Sequence, residues 1–492
     1  MRVLLLQPRS KALGFGEMIR AEPLGLEMLA GGLEPRHEVL LCDLRVQGEG
    51  ELRRALRDFS PHVCGISCSW SVDHSATLEL ARAIKALRAA TFIAVGGVHA
   101  TLSPEGFPPP VDAVVIGEGE DTFAELVEAL EGRRPLEEIP GLALNDGGER
   151  HLTHPRPLLE DLDSLPFPKR LRFKRGAGYY MGFQRPLALV ETSRGCPYRC
   201  SFCAVWQFYR GTYRAKSPER VVEELERIED PFVLFVDDNF LADPQRAEEI
   251  ALLIRKRGIR RRYTFQARSD SIVRYPELLR LWREVGLKGV FIGFEGVTDE
   301  DLRALRKGSS VTDNDRALSF LKGLDIDVWA SFIVEPDFTR EDFRRLKEYV
   351  RSRGVKTPSF SVLTPLPGTK LYEERKGELT TSDYDLFDIA HAVLPTRLPL
   401  GQFYEEFCGL YRAAYSSWEL IMEGIGAWIK GFPLLDLLKM LRSAKRLSDP
   451  AYYLEGHRRR HPSFGGTVTP QGSGESFTWP QGRSAPRPGR AS

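Results

Sequence analysis

Short apolar runs alternate with amphipathic stretches along the first third of the chain. VLLLQP (3–8), EVLLCDL (38–44), VCGISCSW (63–70), FIAVGGVH (92–99) and AVVIGEGE (113–120) are dominated by apolar residues until their last positions. Helical patterns such as LGLEMLAGGL and ATLELARAIKALRAA lie between them. A strand apolar at every position is buried on both faces, so this alternation predicts an α/β fold with a parallel sheet covered by helices, the doubly wound type. Such sheets bind ligands at the carboxyl ends of their strands.

Residues 151–174, HLTHPRPLLEDLDSLPFPKRLRFK, are rich in proline and charge and read as a linker, taken to run to 185. A second alternating pattern follows, with strands at LALVETS (187–193), FVLFVDD (232–238), YTFQARS (263–269), GVFIGFEG (289–296), DVWASFIV (327–334) and SFSVLTP (359–365). Six strand-helix units predict a partial (β/α)6 barrel, too few for the full eight, with its active site at the carboxyl ends of the strands. Beyond LPTRLPLG the pattern is helical, and after residue 457 it has no periodicity and predicts a disordered tail. The expected organisation is therefore a sheet domain (1–150), a linker (151–185), a partial barrel (186–395), a helical region (396–456) and a tail (457–492).

Several strand ends of the first domain carry small or polar residues: Ser67, Ser69 and Trp70 after one, Gly96, Gly97 and His99 after another, Gly117 and Glu118 after a third. Glycine there lets a ligand approach the backbone closely. Any one of these is a turn residue before it is anything else; three such ends on one sheet edge predict a site. The first turn lacks G-x-G-x-x-G, which argues against a dinucleotide.

Composition removes some classes of function. Lys plus Arg (69) nearly equals Asp plus Glu (68), so bulk charge gives no argument for a nucleic-acid partner. No apolar run approaches the ~20 residues of a membrane-spanning helix, and MRVLLLQPRS is too short for a signal peptide, so a cytoplasmic protein is expected. Seven cysteines, an odd number with three clustered, fit a metal site better than a disulfide framework.

Those three, Cys196, Cys200 and Cys203, stand in ETSRGCPYRCSFCAVWQFYRG directly after the first barrel strand. Three thiolates are an incomplete set for a tetrahedral zinc or a four-iron cluster. Zinc would want a fourth ligand at a second knuckle-like spacing, whereas Cys42, Cys64, Cys68 and Cys408 are scattered. A cluster with one iron open to a ligand is favoured, and zinc stays as the alternative.

The run C-x-x-x-C-x-Φ-C, with Phe202 before its last cysteine, resembles that of the radical S-adenosylmethionine enzymes. The resemblance implies a [4Fe–4S] cluster held by the three cysteines, with S-adenosylmethionine chelating the fourth iron through its amino and carboxylate groups. It also implies cofactor contacts on successive strand ends. Asp237 or Asp238 of FVDDNF would meet the ammonium, Arg268 of QARSD the carboxylate and Glu295 of GFEG the ribose. Each alone reads equally as a satisfied charge on the barrel rim.

VGGVHATLSPE and VIGEGEDTFAEL resemble signature turns of the cobalamin-binding domain that precedes the barrel in one subgroup. No D-x-H-x-x-G element is present, so the resemblance implies cobalamin bound without a protein histidine on cobalt, with Trp70 a candidate for its lower face. SPERVVEELERIEDPFVLFVDD and LTTSDYDLFDIAHAVLPTRLPLGQFYEEF resemble the hopanoid C-3 methylases, and this similarity spans residues 1 to about 450. It implies methylcobalamin as the methyl donor and a 5′-deoxyadenosyl radical that activates an unactivated carbon. A flavodoxin or ferredoxin reductant is implied too. Another cobalamin-dependent radical reaction, such as cyclisation or methylation of a different acceptor, stays open, as does a non-catalytic corrinoid and iron–sulfur sensor. Methylthiolation is weakened because Cys42, Cys64 and Cys68 are wrongly spaced for a second triad.

A lipid acceptor would be drawn from a membrane. SWELIMEGIGAWIKGFPLLDLLKMLRSAKRL, with Trp418, Trp428 and Phe432 beside Lys439, Arg442, Lys445 and Arg446, suits a peripheral membrane contact or the packed core of a helical cap.

Overall fold

A computed structural model describes residues 1–13, 18–146, 149–173, 178–415, 417–429 and 431–460. Its first sheet contains β1 (Arg2–Gln7), β2 (Glu38–Asp43), β3 (Val63–Ser67), β4 (Phe92–Gly96), β5 (Ala113–Val115), β6 (Leu142–Asp146) and β7 (Glu149–Leu152), in spatial order β2-β1-β3-β4-β5-β6-β7. The first five run parallel. Val3, Leu5, Val63 and Ala94 enter one core while Leu4, Leu6, Ile66 and Val95 enter the other, on the opposite face of the sheet. That two-sided burial is why the strands read as unbroken apolar runs. The strand order reverses between β1 and β3, the switch point at which such sheets open a crevice.

The sequence gives no warning of β6 and β7, which pair antiparallel on the sheet edge. β7 reads ERHL and is largely exposed, so it has no apolar signature. His151 and Leu152, at the start of the expected linker, are thus residues of the sheet.

The second sheet contains β8 (Leu187–Val190), β9 (Phe232–Phe235), β10 (Arg262–Gln266), β11 (Leu287–Glu295), β12 (Asp327–Val334) and β13 (Thr357–Val362), parallel and in sequence order. Trp282 anchors its core among Phe235, Phe240, Tyr263 and Phe265, and its indole Nε1 donates to the Ala247 carbonyl at 3.1 Å. Side chains cap the helices that connect these strands: Ser217 ahead of Pro218, Asp243 ahead of Pro244, and Thr298, Ser310 and Thr339 in capping boxes. The caps pin the rim on which the functional loops sit.

Helix Leu400–Ala414 packs on the barrel through Phe403, whose ring lies 5.6 Å from Phe343. Helix Pro450–Arg460 closes over it, with the Tyr404 hydroxyl 2.8 Å from Nε2 of the buried His457. Ordered chain therefore continues through the first residues of the expected tail; residues 461–492 lie outside the described residues. Between these helices, Ser417–Ile429 and Leu434–Leu447 form a hairpin. No helix among the described residues is long and apolar enough to cross a membrane.

Candidate functional site

The cysteine loop leaves β8 through a short ribbon in which Ser193–Arg194 pairs with Arg214–Ala215. Gly195 has φ +87°, and a Cβ there would collide with the Thr212 carbonyl, so the turn into the loop requires glycine. The loop is tied to the barrel at its centre. Ser201 donates its N–H (3.2 Å) and its hydroxyl (3.3 Å) to the Leu305 carbonyl, Leu371 N–H donates to the Ser201 carbonyl (3.0 Å), and Trp206 Nε1 donates to that of Cys200 (3.0 Å). Phe202 packs against Leu305, Ile333, Leu363 and Leu371, so the aromatic residue of the motif anchors the loop in apolar surroundings.

Burial pushes the Cys196 and Cys203 thiols up, Cys203 to about 12, and Asp238 and the neighbouring thiols push the same way. Among the described residues, no three His, Cys, Asp or Glu side chains converge on a single ion position. Three cysteine thiols on one anchored loop are the donor chemistry that an iron–sulfur cluster takes. Bonding to metal would supply the driving force that ionises thiols held protonated by burial.

The two aspartates after β9 differ sharply. Asp237 is buried and accepts from Thr192 N–H (2.6 Å), Thr192 Oγ1 (2.5 Å) and Ser193 N–H (3.1 Å). Both of its oxygens are occupied in holding the root of the cysteine loop. Asp238 accepts one long bond from Gly195 N–H (3.3 Å), and burial beside Asp237 pushes its carboxyl up to about 7. Neighbouring Asn239 is buried with neither amide atom hydrogen-bonded, a cost of about 1–3 kcal/mol per group unless a bound molecule completes it.

Arg268 lies over the Tyr198 ring at 3.7 Å, with Nε donating to Asp270 (3.0 Å) and Nη2 to the Lys307 carbonyl (2.6 Å). Glu295 sits at a register shift of β11 with φ +62°, a left-handed conformation uncommon for a non-glycine residue, and Lys307 Nζ donates to its Oε1 at 2.8 Å. The structure thus brings Asp238, Arg268 and Glu295 to the rim beside the cysteine loop and uses Asp237 as that loop's support.

A cavity of about 400 Å³ opens at the carboxyl edge of the first sheet. Ser67, Ser69, Trp70, Gly96, Gly97, Gly117 and Glu118 all line it, and Glu191, Arg194, Phe208 and Tyr209 form its wall on the cysteine-loop side. A Cβ on Gly117 would meet nothing within 4 Å, and one on Gly96 would touch only Val115, so backbone is open to a ligand there. Gly97 is different: φ is +119° and a Cβ would lie 2.7 Å from the Cys68 carbonyl oxygen.

His99 departs from expectation. It is buried beneath the cavity rather than in its wall, with Nδ1 3.0 Å from Ser71 Oγ and Nε2 3.1 Å from His74 Nδ1. The short helix Val98–Leu102 turns its ring toward Phe107 and Tyr384, and burial lowers its pKa to about 3. Both histidines near the edge are spent on one another, and no histidine lines the cavity among the described residues.

Glu118 is a wall residue with both oxygens engaged. Burial pushes its carboxyl up, but Arg214 (2.9 Å) and Arg194 (2.8 Å) outweigh burial and hold it below its ordinary value. Arg194 also pairs with Glu120 (2.5 Å) and Glu191 (2.8 Å), joining the edge of the first sheet to the root of the cysteine loop. Periodicity and motif do not single out Arg194, Glu120, Glu191, Arg214 or Lys307. The available signal was opposite charge on two loops expected to lie at carboxyl edges, ETSRG and GEGED. Cys42, Cys64 and Cys68 lie in the core of the first sheet, where burial raises their pKa values, away from the loop.

A family model described as B12 binding domain matches residues 20–127, and one described as Radical SAM superfamily matches residues 190–350. The chain is 36% identical over 409 residues to the hopanoid C-3 methylase of Methylococcus capsulatus, covering 81% of this chain and 77% of that one. It is 29% identical over 338 residues to the anaerobic magnesium-protoporphyrin IX monomethyl ester cyclase of Cereibacter sphaeroides, covering 65% and 54%. Among solved structures, the cobalamin-dependent S-adenosylmethionine radical enzyme OxsB, with aqua-cobalamin and S-adenosylmethionine bound, superposes with a TM-score of 0.67 at 20% identity. That match covers 94% of this chain and 75% of that one and speaks to the fold.

Proposed function

The chain belongs to the cobalamin-binding radical S-adenosylmethionine methylases, and we propose that it methylates an unactivated carbon of a hopanoid, C-3. The observation that carries the substrate reading is the 36% identity to a hopanoid C-3 methylase across four-fifths of the chain.

When bound, the cluster with S-adenosylmethionine supplies a hydrogen-abstracting radical, and cobalamin supplies the methyl group. This chain's residues bind, orient and shield them. Cys196, Cys200 and Cys203 would hold the cluster. Asp238 would accept from the ammonium of S-adenosylmethionine, Arg268 would pair with its carboxylate, and Glu295 would meet its ribose. Ser67, Ser69, Gly96, Gly97 and Gly117 would let the corrin lie against backbone, with Trp70 at the mouth. Arg194, locked among three carboxylates, fixes the two halves of the site and helps exclude water.

The test is anaerobic incubation of cofactor-loaded protein with S-adenosylmethionine, reduced flavodoxin or ferredoxin, and a hopanoid lacking the C-3 methyl group. Formation of 5′-deoxyadenosine with a C-3-methylated product supports the reading. Formation of 5′-deoxyadenosine without methyl transfer removes the hopanoid and leaves the family assignment. A second reading, radical cyclisation, is favoured by the similarity to the ester cyclase, and ring closure without methyl incorporation when magnesium-protoporphyrin IX monomethyl ester replaces the hopanoid would select it.

A further inference from the structure

The described residues expose fourteen large apolar side chains, and eight of them fall between residues 422 and 441. Scattered exposed apolar residues are ordinary, but a concentration of this kind marks an interaction surface. The eight belong to the hairpin of helices Ser417–Ile429 and Leu434–Leu447. Met422, Ile425, Trp428 and Ile429 recur on one face of the first helix, and Leu434, Leu438 and Leu441 on one face of the second, with Leu435 beside them. The side chain of Trp418 lies outside the described residues.

The packed core of a cap accounts for the opposite face only. Phe432, Leu437 and Met440 bury themselves against Tyr180, and Gly424 admits Leu437 at close range between the two helices. The outward face is left to solvent, with Ile429 74% and Leu435 73% exposed.

Charge on the second helix is mostly cationic, and of its cations Lys439 pairs with Asp436 at 3.5 Å; the side chains of Glu419 and Glu423 on the first helix lie outside the described residues. Helix Leu434–Leu447 carries the exposed cations Lys439, Arg442, Lys445 and Arg446, and its single acid, Asp436, is buried against Arg20 at 3.4 Å. Leucines bordered by cations, with an exposed tryptophan on the adjoining helix, form the amphipathic pattern that seats in a headgroup layer. The hairpin also stands one layer from the cavity. Arg20 and Tyr180, on which it docks, belong to the two-stranded ribbon Ile19–Arg20/Tyr180–Met181, and Ile19 and Ala21 line the cavity wall.

We propose that the exposed face of this hairpin is a docking surface for an anionic phospholipid bilayer, bringing the cavity mouth to the membrane. The surface stands on its own residues and holds whether or not the acceptor is a hopanoid, so vesicle binding and substrate methylation fail separately.

The experiment is flotation of the full-length, cofactor-loaded protein with vesicles of phosphatidylcholine alone and of phosphatidylcholine with phosphatidylglycerol in equal parts. Expected are binding to the mixed vesicles, weaker binding at high salt, and little binding to phosphatidylcholine alone. The double variant Arg442→Gln/Lys445→Gln, at exposed positions that folding does not need, should bind about 30-fold more weakly, from roughly a fivefold loss per cation at a membrane surface. Leu435→Glu/Leu438→Glu should abolish binding while helix content and the visible absorption of the cofactors stay at wild-type values. Absence of binding to either vesicle, or binding that neither variant changes, overturns the proposal. So does a dimer in sedimentation that the leucine variant converts to monomer, because the face is then covered by a second copy.

Discussion

Replacing Asp237 and replacing Asp238 should damage the protein in opposite ways, although the two are neighbours in FVDDNF. Asp237→Ala strands three donors, Thr192 N–H, Thr192 Oγ1 and Ser193 N–H, all of which it now accepts at 2.5–3.1 Å in a buried position. Buried donors left unsatisfied cost about 1–3 kcal/mol each, so the loss is about 3 kcal/mol at least. Asp237 also attracts the nearby buried Arg246, whose Nε and Nη2 donate to the Lys216 and Thr192 carbonyls at 2.7 Å, so the change weakens that support as well. A 3 kcal/mol loss in a barrel of this size lowers Tm by roughly 6–12 °C. Because Thr192 and Ser193 root the cysteine loop, the cluster should be lost with the stability. Asp238→Asn strands at most the 3.3 Å bond from Gly195 N–H, so its melting should stay near wild type, while affinity for S-adenosylmethionine falls by about tenfold or more with the loss of a charge-assisted bond. The assay is an anaerobic circular-dichroism melt of each variant beside visible absorption and equilibrium binding of S-adenosylmethionine. An Asp237→Ala protein that melts like wild type and keeps its cluster but no longer binds S-adenosylmethionine would refute the reasoning, since Asp237 would then be the cofactor contact.

Substitution of Cys196, Cys200 or Cys203 by Ala should abolish the iron–sulfur absorption and reductive cleavage of S-adenosylmethionine; stoichiometric zinc in an iron-replete anaerobic preparation would contradict this. Gly96→Val should lower corrinoid content and spare the cluster, because its Cβ meets only ordinary contact while the larger side chain intrudes on the cavity, whereas Gly97→Ala should destabilise the first sheet itself. Equal loss of both cofactors in Gly96→Val, with a lowered melt, would show the position to be structural. His99 is buried with its pKa lowered to about 3 from an ordinary 6.5, so the unfolded chain binds the extra proton in that interval. Its contribution is therefore complete above pH 6.5 and is lost as pH falls toward 3. In denaturant titrations, wild-type stability should fall more steeply than that of His99→Gln as pH drops from 6.5 toward 3, and parallel profiles would remove this site as the cause.

What could be read along the chain follows from local physics. Strands buried on both faces must be apolar throughout, so β1 and β3 to β5 appear as runs such as VLLLQ without any knowledge of their neighbours, while barrel strands such as FVLF and TPSFSV alternate buried and partly exposed positions. Thiolates that bind one metal body can be close in sequence, so Cys196, Cys200 and Cys203 show themselves as a motif. Glycines that expose backbone also stand in the sequence, and Gly96, Gly97 and Gly117 do line the cavity. The antiparallel edge could not be read, because β7 is exposed and need not be apolar. Nor could the split between Asp237 and Asp238, which depends on which carboxylate meets the amides of Thr192 and Ser193 some 45 residues earlier. His99 stood at a strand end in the sequence, and only the rotation of a short helix directed it into the interior. The Arg194 cluster joins residues 74 and 76 positions apart, and Arg20 meets Asp436 across 416. Periodicity reports the environment of a residue averaged over its own element; pairing between distant charges is set by how finished elements pack, and burial makes those pairings obligatory only once the chain has folded.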